Sequence, residues 1–112
     1  FTQMKIITES EFNYRLRLLL YPFRGKVQSV SGPGRSGAIA SVYASHFLGI
    51  PWIPMTGNGF KHPILMVDTA QDSGKTLRKA KRKVGAKFAV AIFDEPPRVK
   101  FWYEDFERSE KV

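Results

Sequence analysis

Two short segments carry residue types and spacing suited to phosphate and sugar chemistry. The first is Ser31-Gly32-Pro33-Gly34-Arg35-Ser36-Gly37, with three glycines, two serines and an arginine. Glycine permits positive φ and lets a ligand approach the main chain closely. A helix starting there would point free amides and the positive end of its dipole outward, making an anion site. Arg35 could then clamp phosphate oxygens in a two-pronged contact. A tight strand-to-helix turn with no ligand would use the same glycines. The spacing is not that of a P-loop, because no Gly-Lys-Ser/Thr follows at the right distance. It also lacks the third glycine of a dinucleotide fingerprint.

The second segment is Asp68-Thr69-Ala70-Gln71-Asp72-Ser73-Gly74-Lys75-Thr76. Amides and hydroxyls of Ser73, Gly74 and Thr76 would line a helix start, again suited to phosphate. An acid at a strand end, as Asp68 is placed, suits a ribose hydroxyl or a hydrated Mg²⁺. The plainer alternative makes Asp72 or Ser73 a helix N-cap and Asp68 a turn residue.

The surrounding pattern must position both segments. Met4–Ile7 reads as a short strand. Thr8 or Ser10 can cap a helix carrying Phe12, Leu16, Leu19 and Leu20 at helical spacing, closed by Pro22 and Gly25. Val27–Ser31 reads as a strand. Helical composition runs from Ala38 to Leu48 and stops at Gly49, with His46 on the apolar face as a packed core histidine. Ile50–Ile53 suggests a short strand. Ile64–Val67 is a continuous apolar run, expected for a strand buried on both faces. A helix follows from Gly74 to Val84, then strands at Lys87–Phe93 and Val99–Tyr103. Alternation of this kind predicts an α/β fold: three layers, a mostly parallel sheet, helices on both faces. In such sheets ligands bind beyond the carboxyl ends of the strands, where strand order reverses.

Size and charge bound the function. A chain of 112 residues makes one domain, 1–112, and leaves no room for two independent catalytic domains. The absence of cysteine excludes a disulfide scaffold and a cysteine zinc site. Two histidines give no readable metal constellation. No apolar run approaches the ~20 residues of a membrane-spanning helix, so the expectation is a soluble, cytoplasmic protein without a membrane partner. A net charge of +8 points to an anionic partner. Arg78, Lys79, Lys81, Arg82 and Lys83 crowd one helix. That is either a solvated face or a nucleic-acid surface through Arg78, Lys79, Arg82 and Lys83.

The segment Ile64–Leu77 resembles the phosphoribosyl pyrophosphate motif of type I phosphoribosyltransferases: an apolar strand, acids, a short spacer, then a phosphate loop. Val30–Ala40 resembles the same family's pyrophosphate loop, and the order of elements is most similar to the xanthine/hypoxanthine-guanine branch. The resemblance implies transfer of phosphoribose to a nucleobase, a purine in that branch, with Mg²⁺ assisting release of pyrophosphate. It implies that Ser73, Gly74, Lys75 and Thr76 bind the 5′-phosphate, and that Asp68, with Thr69 beside it, binds ribose and metal. It makes Asp72 the proton-handling catalytic acid/base. Gly34, Arg35, Ser36 and Gly37 would hold pyrophosphate. Val99-Lys100-Phe101-Trp102-Tyr103 stands where the branch recognises its base, so Lys100 would bind a purine oxygen and Trp102 or Tyr103 would stack. An amphipathic edge strand with core aromatics is the alternative there. Some relatives are nucleic-acid-binding regulators, so a non-catalytic module of the same fold is the second reading.

The chain departs from the family pattern in three places. Thr69 replaces the second acid of the usual pair, which removes a charge from the ribose and metal site. The 55–62 segment is shorter than the loop that normally closes over the reaction. The hood that completes the base pocket is expected to be truncated, and a homodimer or higher oligomer would let a neighbouring subunit complete it.

Overall fold

The computed structural model describes residues 5–70, 74–93 and 99–104. The apolar run at its centre becomes strand β3 (Ile64–Ala70). It lies between β2 (Ser29–Ser31) and β4 (Phe88–Phe93), and both pairings are parallel. Val30 lies opposite Leu65, and Val67 opposite Val90.

Both faces of β3 are covered, which is why its sequence does not alternate. Leu65 and Val67 pack with Val30, with Ala40 and Ala44 of helix α2 (Gly34–Leu48), and with Phe12, Leu16 and Leu20 of helix α1 (Glu9–Leu20). Ile64 and Met66 pack on the other face with Leu77 and Ala80 of helix α3 (Lys75–Val84). Each fully buried Leu, Ile, Val or Phe side chain contributes about 1.5–3 kcal/mol. Two further strands, β1 (Lys5–Ile7) and β5 (Val99–Phe101), pair in parallel with Ile7 opposite Phe101. They carry the C-terminal aromatics onto α1: Phe12 meets Phe101, Trp102 and Tyr43 edge-on at 5.9, 5.3 and 5.3 Å.

Helix α1 begins as its sequence signals, with the Thr8 hydroxyl accepting from the Glu11 amide at 3.2 Å. Other expectations shift. Helix α2 starts at Gly34, not Ala38, so the glycine-rich segment is its first turn. Pro33 is extended at its N-cap, and Gly34 enters at φ +66°, a conformation that favours glycine. The strand expected at Ile50–Ile53 is a single parallel bridge between Trp52 and Val30. Pro51 and Pro54 flank it and have no N–H to extend a ladder. His46 is exposed on α2 rather than packed in the core. The last strand ends at Phe101, and Trp102–Glu104 forms a 3₁₀ turn.

The Trp52 bridge decides the topology. It gives the order Trp52, β2, β3, β4. From β2 the chain crosses through α2 to the Trp52 edge; from β3 it crosses through α3 to the β4 edge. The direction of travel reverses between β2 and β3, which opens a crevice at their carboxyl ends.

Candidate active site

The turn leaving β2 meets the tip of β3 at that crevice. Gly32 follows β2 so closely that a Cβ there would overlap the carbonyls of Gly37 and Val67. A Cβ on Gly37 would lie 3.3 Å from the Asp68 Oδ1 and 2.8 Å from the Pro33 ring. The two glycines therefore let the first turn of α2 settle against the tip of β3. Of the residues expected to hold pyrophosphate, Gly37 is the one placed against Asp68.

The helix starts at this end differ from that of α1. Thr8 caps α1 with its side chain, whereas α2 follows Pro33 and α3 follows Gly74 at φ +77°, with no side-chain cap on either. Both helices thus start without a side-chain cap among the described residues, leaving N-terminal amides and the positive dipole end to an anion. Lys75 and Thr76 occupy the first turn of α3 and are exposed.

Asp68 is half-buried. Its Oδ1 accepts from the Thr69 amide at 2.7 Å. Burial holds its carboxyl above the ordinary carboxylate range, and hydrogen bonds from the Thr69 amide and hydroxyl only partly offset this. Thr69 is itself buried. Ser36 shares a hydrogen bond with the Tyr103 hydroxyl, 2.7 Å apart. Trp102 packs edge-on against Phe12 and Tyr43, whereas Tyr103 stacks on Phe101 and reaches the α2 turn. Asp72 and Ser73 lie outside the described residues, as does the side chain of Lys100. Arg78, Lys79, Arg82 and Lys83 are exposed on α3.

Ser31 was not singled out by its sequence. Its Oγ is buried at the end of β2 with no hydrogen-bond partner among the described residues. The signal was the pair of small polar residues, Ser29 and Ser31, on either side of Val30. Ser29 is satisfied, since its hydroxyl donates to the Lys61 carbonyl at 2.7 Å. Leaving Ser31 unpaired costs about 1–3 kcal/mol.

No protein-family model matches the chain, and no curated protein does. Solved structures match it over most of its length. The purine phosphoribosyltransferase of Pyrococcus horikoshii aligns over 90% of this chain and 94% of its own, with TM-score 0.64 and 22% identity. The xanthine-guanine-hypoxanthine phosphoribosyltransferase of Helicobacter pylori aligns over 96% and 97%, with TM-score 0.66 and 16% identity. The adenine phosphoribosyltransferase of Thermoanaerobacter pseudethanolicus aligns over 75% and 67%, with TM-score 0.55 and 16% identity. The chain is thus structurally similar to the type I purine phosphoribosyltransferases, and the expected α/β architecture with its parallel sheet is the one observed. What is shared at these identities is the fold.

Proposed function

We propose that this protein is a phosphoribosyltransferase that moves 5-phosphoribose from phosphoribosyl pyrophosphate to a nucleobase, a purine, and releases pyrophosphate. The observation that carries the reading is the close approach of Gly37 to the Asp68 carboxylate, so close that a Cβ would lie 3.3 Å from Oδ1. It sets the start of α2 against the tip of β3, the strand that leads to α3. An activated sugar with phosphates at both ends needs two such anion cradles a sugar's length apart.

In this reading Gly34, Arg35, Ser36 and Gly37 grip the diphosphate, while Ser73, Gly74, Lys75 and Thr76 grip the 5′-phosphate. Asp68 accepts from a ribose hydroxyl, and Thr69 orients that single carboxylate through its amide. A base nitrogen forms a bond to the anomeric carbon as the carbon–oxygen bond to diphosphate breaks. The diphosphate leaves with the electron pair, and Asp72 takes the proton from the base nitrogen. Catalysis of this kind is chiefly positioning and charge stabilisation. Lys100 donates to a purine oxygen, and Trp102 or Tyr103 stacks on the base.

The donors also suit Mg²⁺, which takes one or two carboxylates and completes its shell with substrate phosphates and water. Asp68, a half-buried carboxylate beside the diphosphate cradle, is the residue that would hold it. The ion would neutralise charge on the departing diphosphate. A homodimer has a surface to use: α1 and the turn after it expose Tyr14, Leu18 and Tyr21 at helical spacing.

The test is pyrophosphate release from phosphoribosyl pyrophosphate with each purine base in turn, with and without Mg²⁺. One base supports turnover, and Asp72→Asn abolishes it. Equal rates for wild type and Asp72→Asn remove the base role. No release with any base, and no rise in Tm with phosphoribosyl pyrophosphate, removes the reading.

A second partner has an observation of its own. Six of the ten residues of α3 are basic and none is acidic, and its buried positions are Leu77 and Ala80. A nucleic-acid backbone is the anion that matches such a face.

A further inference from the structure

A cleft of about 580 Å³ lies between α1 and α2, lined by Asn13 and Arg17, by Arg24 beyond the end of α1, and by Tyr43, His46 and Phe47. It is separate from the crevice at the strand tips. His46 follows Ser36 by ten residues on one helix, a distance of roughly 15 Å at the helical rise.

The chemistry of the cleft is one-sided. Two guanidinium groups and an imidazole line it, and among the described residues no Asp or Glu does. Glu9, the carboxylate hydrogen-bonded to a lining residue, is engaged by the Tyr43 hydroxyl, which donates to it at 2.7 Å. Cations drawn together without a lining acid favour an anion between them. Arginine in particular matches a phosphate, with two parallel donors. One wall is aromatic. The Arg24 guanidinium lies 5.1 Å from the centroid of the Phe47 ring, so arginine and ring attract each other along that wall. A planar ring can stack on either surface, and the Asn13 amide offers a donor and an acceptor to its edge. The volume falls in the range of small-molecule sites, about 300–1,000 Å³, and limits the occupant to a compound of nucleotide size.

We propose that this cleft is a binding site for a small phosphorylated aromatic compound of the nucleoside monophosphate class. Its phosphate lies among Arg17, Arg24 and His46, and its ring lies against Phe47. The site has a built-in reporter, because the Tyr43 ring is 6.2 Å from the indole of Trp102.

The experiment titrates AMP and GMP into wild type and into the Arg17→Ala/Arg24→Ala double variant, followed by calorimetry and tryptophan fluorescence. Both arginines are exposed, so the variant keeps the wild-type Tm. Wild type binds one or both nucleotides with a fluorescence change. The double variant binds them at least ~10-fold more weakly, as removal of charge-assisted bonds to a phosphate demands. Adenosine, guanosine and ribose 5-phosphate also bind at least ~10-fold more weakly than the nucleotides, since each lacks one half of the recognised chemistry. Equal nucleotide affinity in wild type and double variant overturns the site. Ribose 5-phosphate binding as tightly as the nucleotides overturns the aromatic component. The titrations are run with phosphoribosyl pyrophosphate saturating the strand-tip crevice, whose proposed product is itself a nucleoside monophosphate, and its Tm rise is the same in both proteins; this cleft can therefore fail while the catalytic assignment stands, and the reverse.

Discussion

The hydroxyls of Ser36 and Tyr103 lie 2.7 Å apart although 67 positions separate them in the chain. This bond ties the first turn of α2 to the aromatic end of β5. It also engages a hydroxyl that the proposed reaction assigns to pyrophosphate. Binding of diphosphate must then compete with, or share, the contact to Tyr103.

Tyr103→Phe separates these roles. The free protein loses one hydrogen bond, about 0.5–1.5 kcal/mol of stability. Phosphoribosyl pyrophosphate binds the variant as tightly as wild type or several-fold more tightly, because Ser36 is already released. Ser36→Ala lowers both stability and affinity. Thermal melts and calorimetric titration check both variants, and weaker binding by Tyr103→Phe would contradict the competition.

The carboxyl of Asp68 makes stability depend on pH in a stated direction. Burial raises its folded value above the ordinary 3.8. The folded state therefore holds this proton more firmly than the unfolded chain, and stability falls as pH rises through the folded value. Asp68→Asn should melt higher than wild type at neutral pH, and the advantage should vanish as pH falls below 3.8. The same substitution should remove the Mg²⁺-dependent part of the Tm rise with phosphoribosyl pyrophosphate. Melting curves across pH decide it, and an Asn variant less stable at neutral pH would reverse the sign.

Gly32 and Gly37 should respond unequally to alanine. At Gly32 the added methyl would strike the carbonyls of Gly37 and Val67, backbone that cannot rotate away. Overpacking of this kind costs about 1–3 kcal/mol or more, and Gly32→Ala should lower Tm accordingly or prevent folding. At Gly37 the overlap is milder: the methyl meets the Pro33 ring at 2.8 Å, the Gly32 carbonyl carbon at 3.0 Å and the Asp68 carboxylate at 3.3 Å. Gly37→Ala should fold, with its larger deficit in binding of phosphoribosyl pyrophosphate.

Phe12 anchors α1 to α2 and to the C-terminal strand through three aromatic contacts. It is fully buried. Phe12→Ala should cost about 3–5 kcal/mol in a denaturant titration, whereas Tyr14→Ala, on the exposed side of the same helix, should cost little.

Replacing Arg78, Lys79, Arg82 and Lys83 with alanine should weaken binding of a labelled oligonucleotide and flatten its salt dependence. The log–log slope should fall by up to ~1 for each phosphate that is no longer neutralised. An unchanged slope would assign this face to solvent.

The local chemistry of the chain was written in its sequence. Thr8 and the acids after it set the start of α1, the run from Ile64 to Val67 demanded cover on both faces, and Gly49 and Gly85 end their helices in left-handed turns. The two loops could be read because phosphate chemistry needs small residues, amides and charge at short spacing. Tertiary structure decided what no local window contains. Pro51 and Pro54 reduced an apparent strand to one bridge at Trp52, yet that bridge sets where the strand order reverses. His46 sits at a core-like spacing but faces solvent, because α1 covers only part of α2 there. Whether Ser36 meets Tyr103, and whether Gly37 lies against Asp68, depends on how strands far apart in the chain align. A sequence states which residues can make a contact; the packing of both sheet faces fixes which of them are brought within reach.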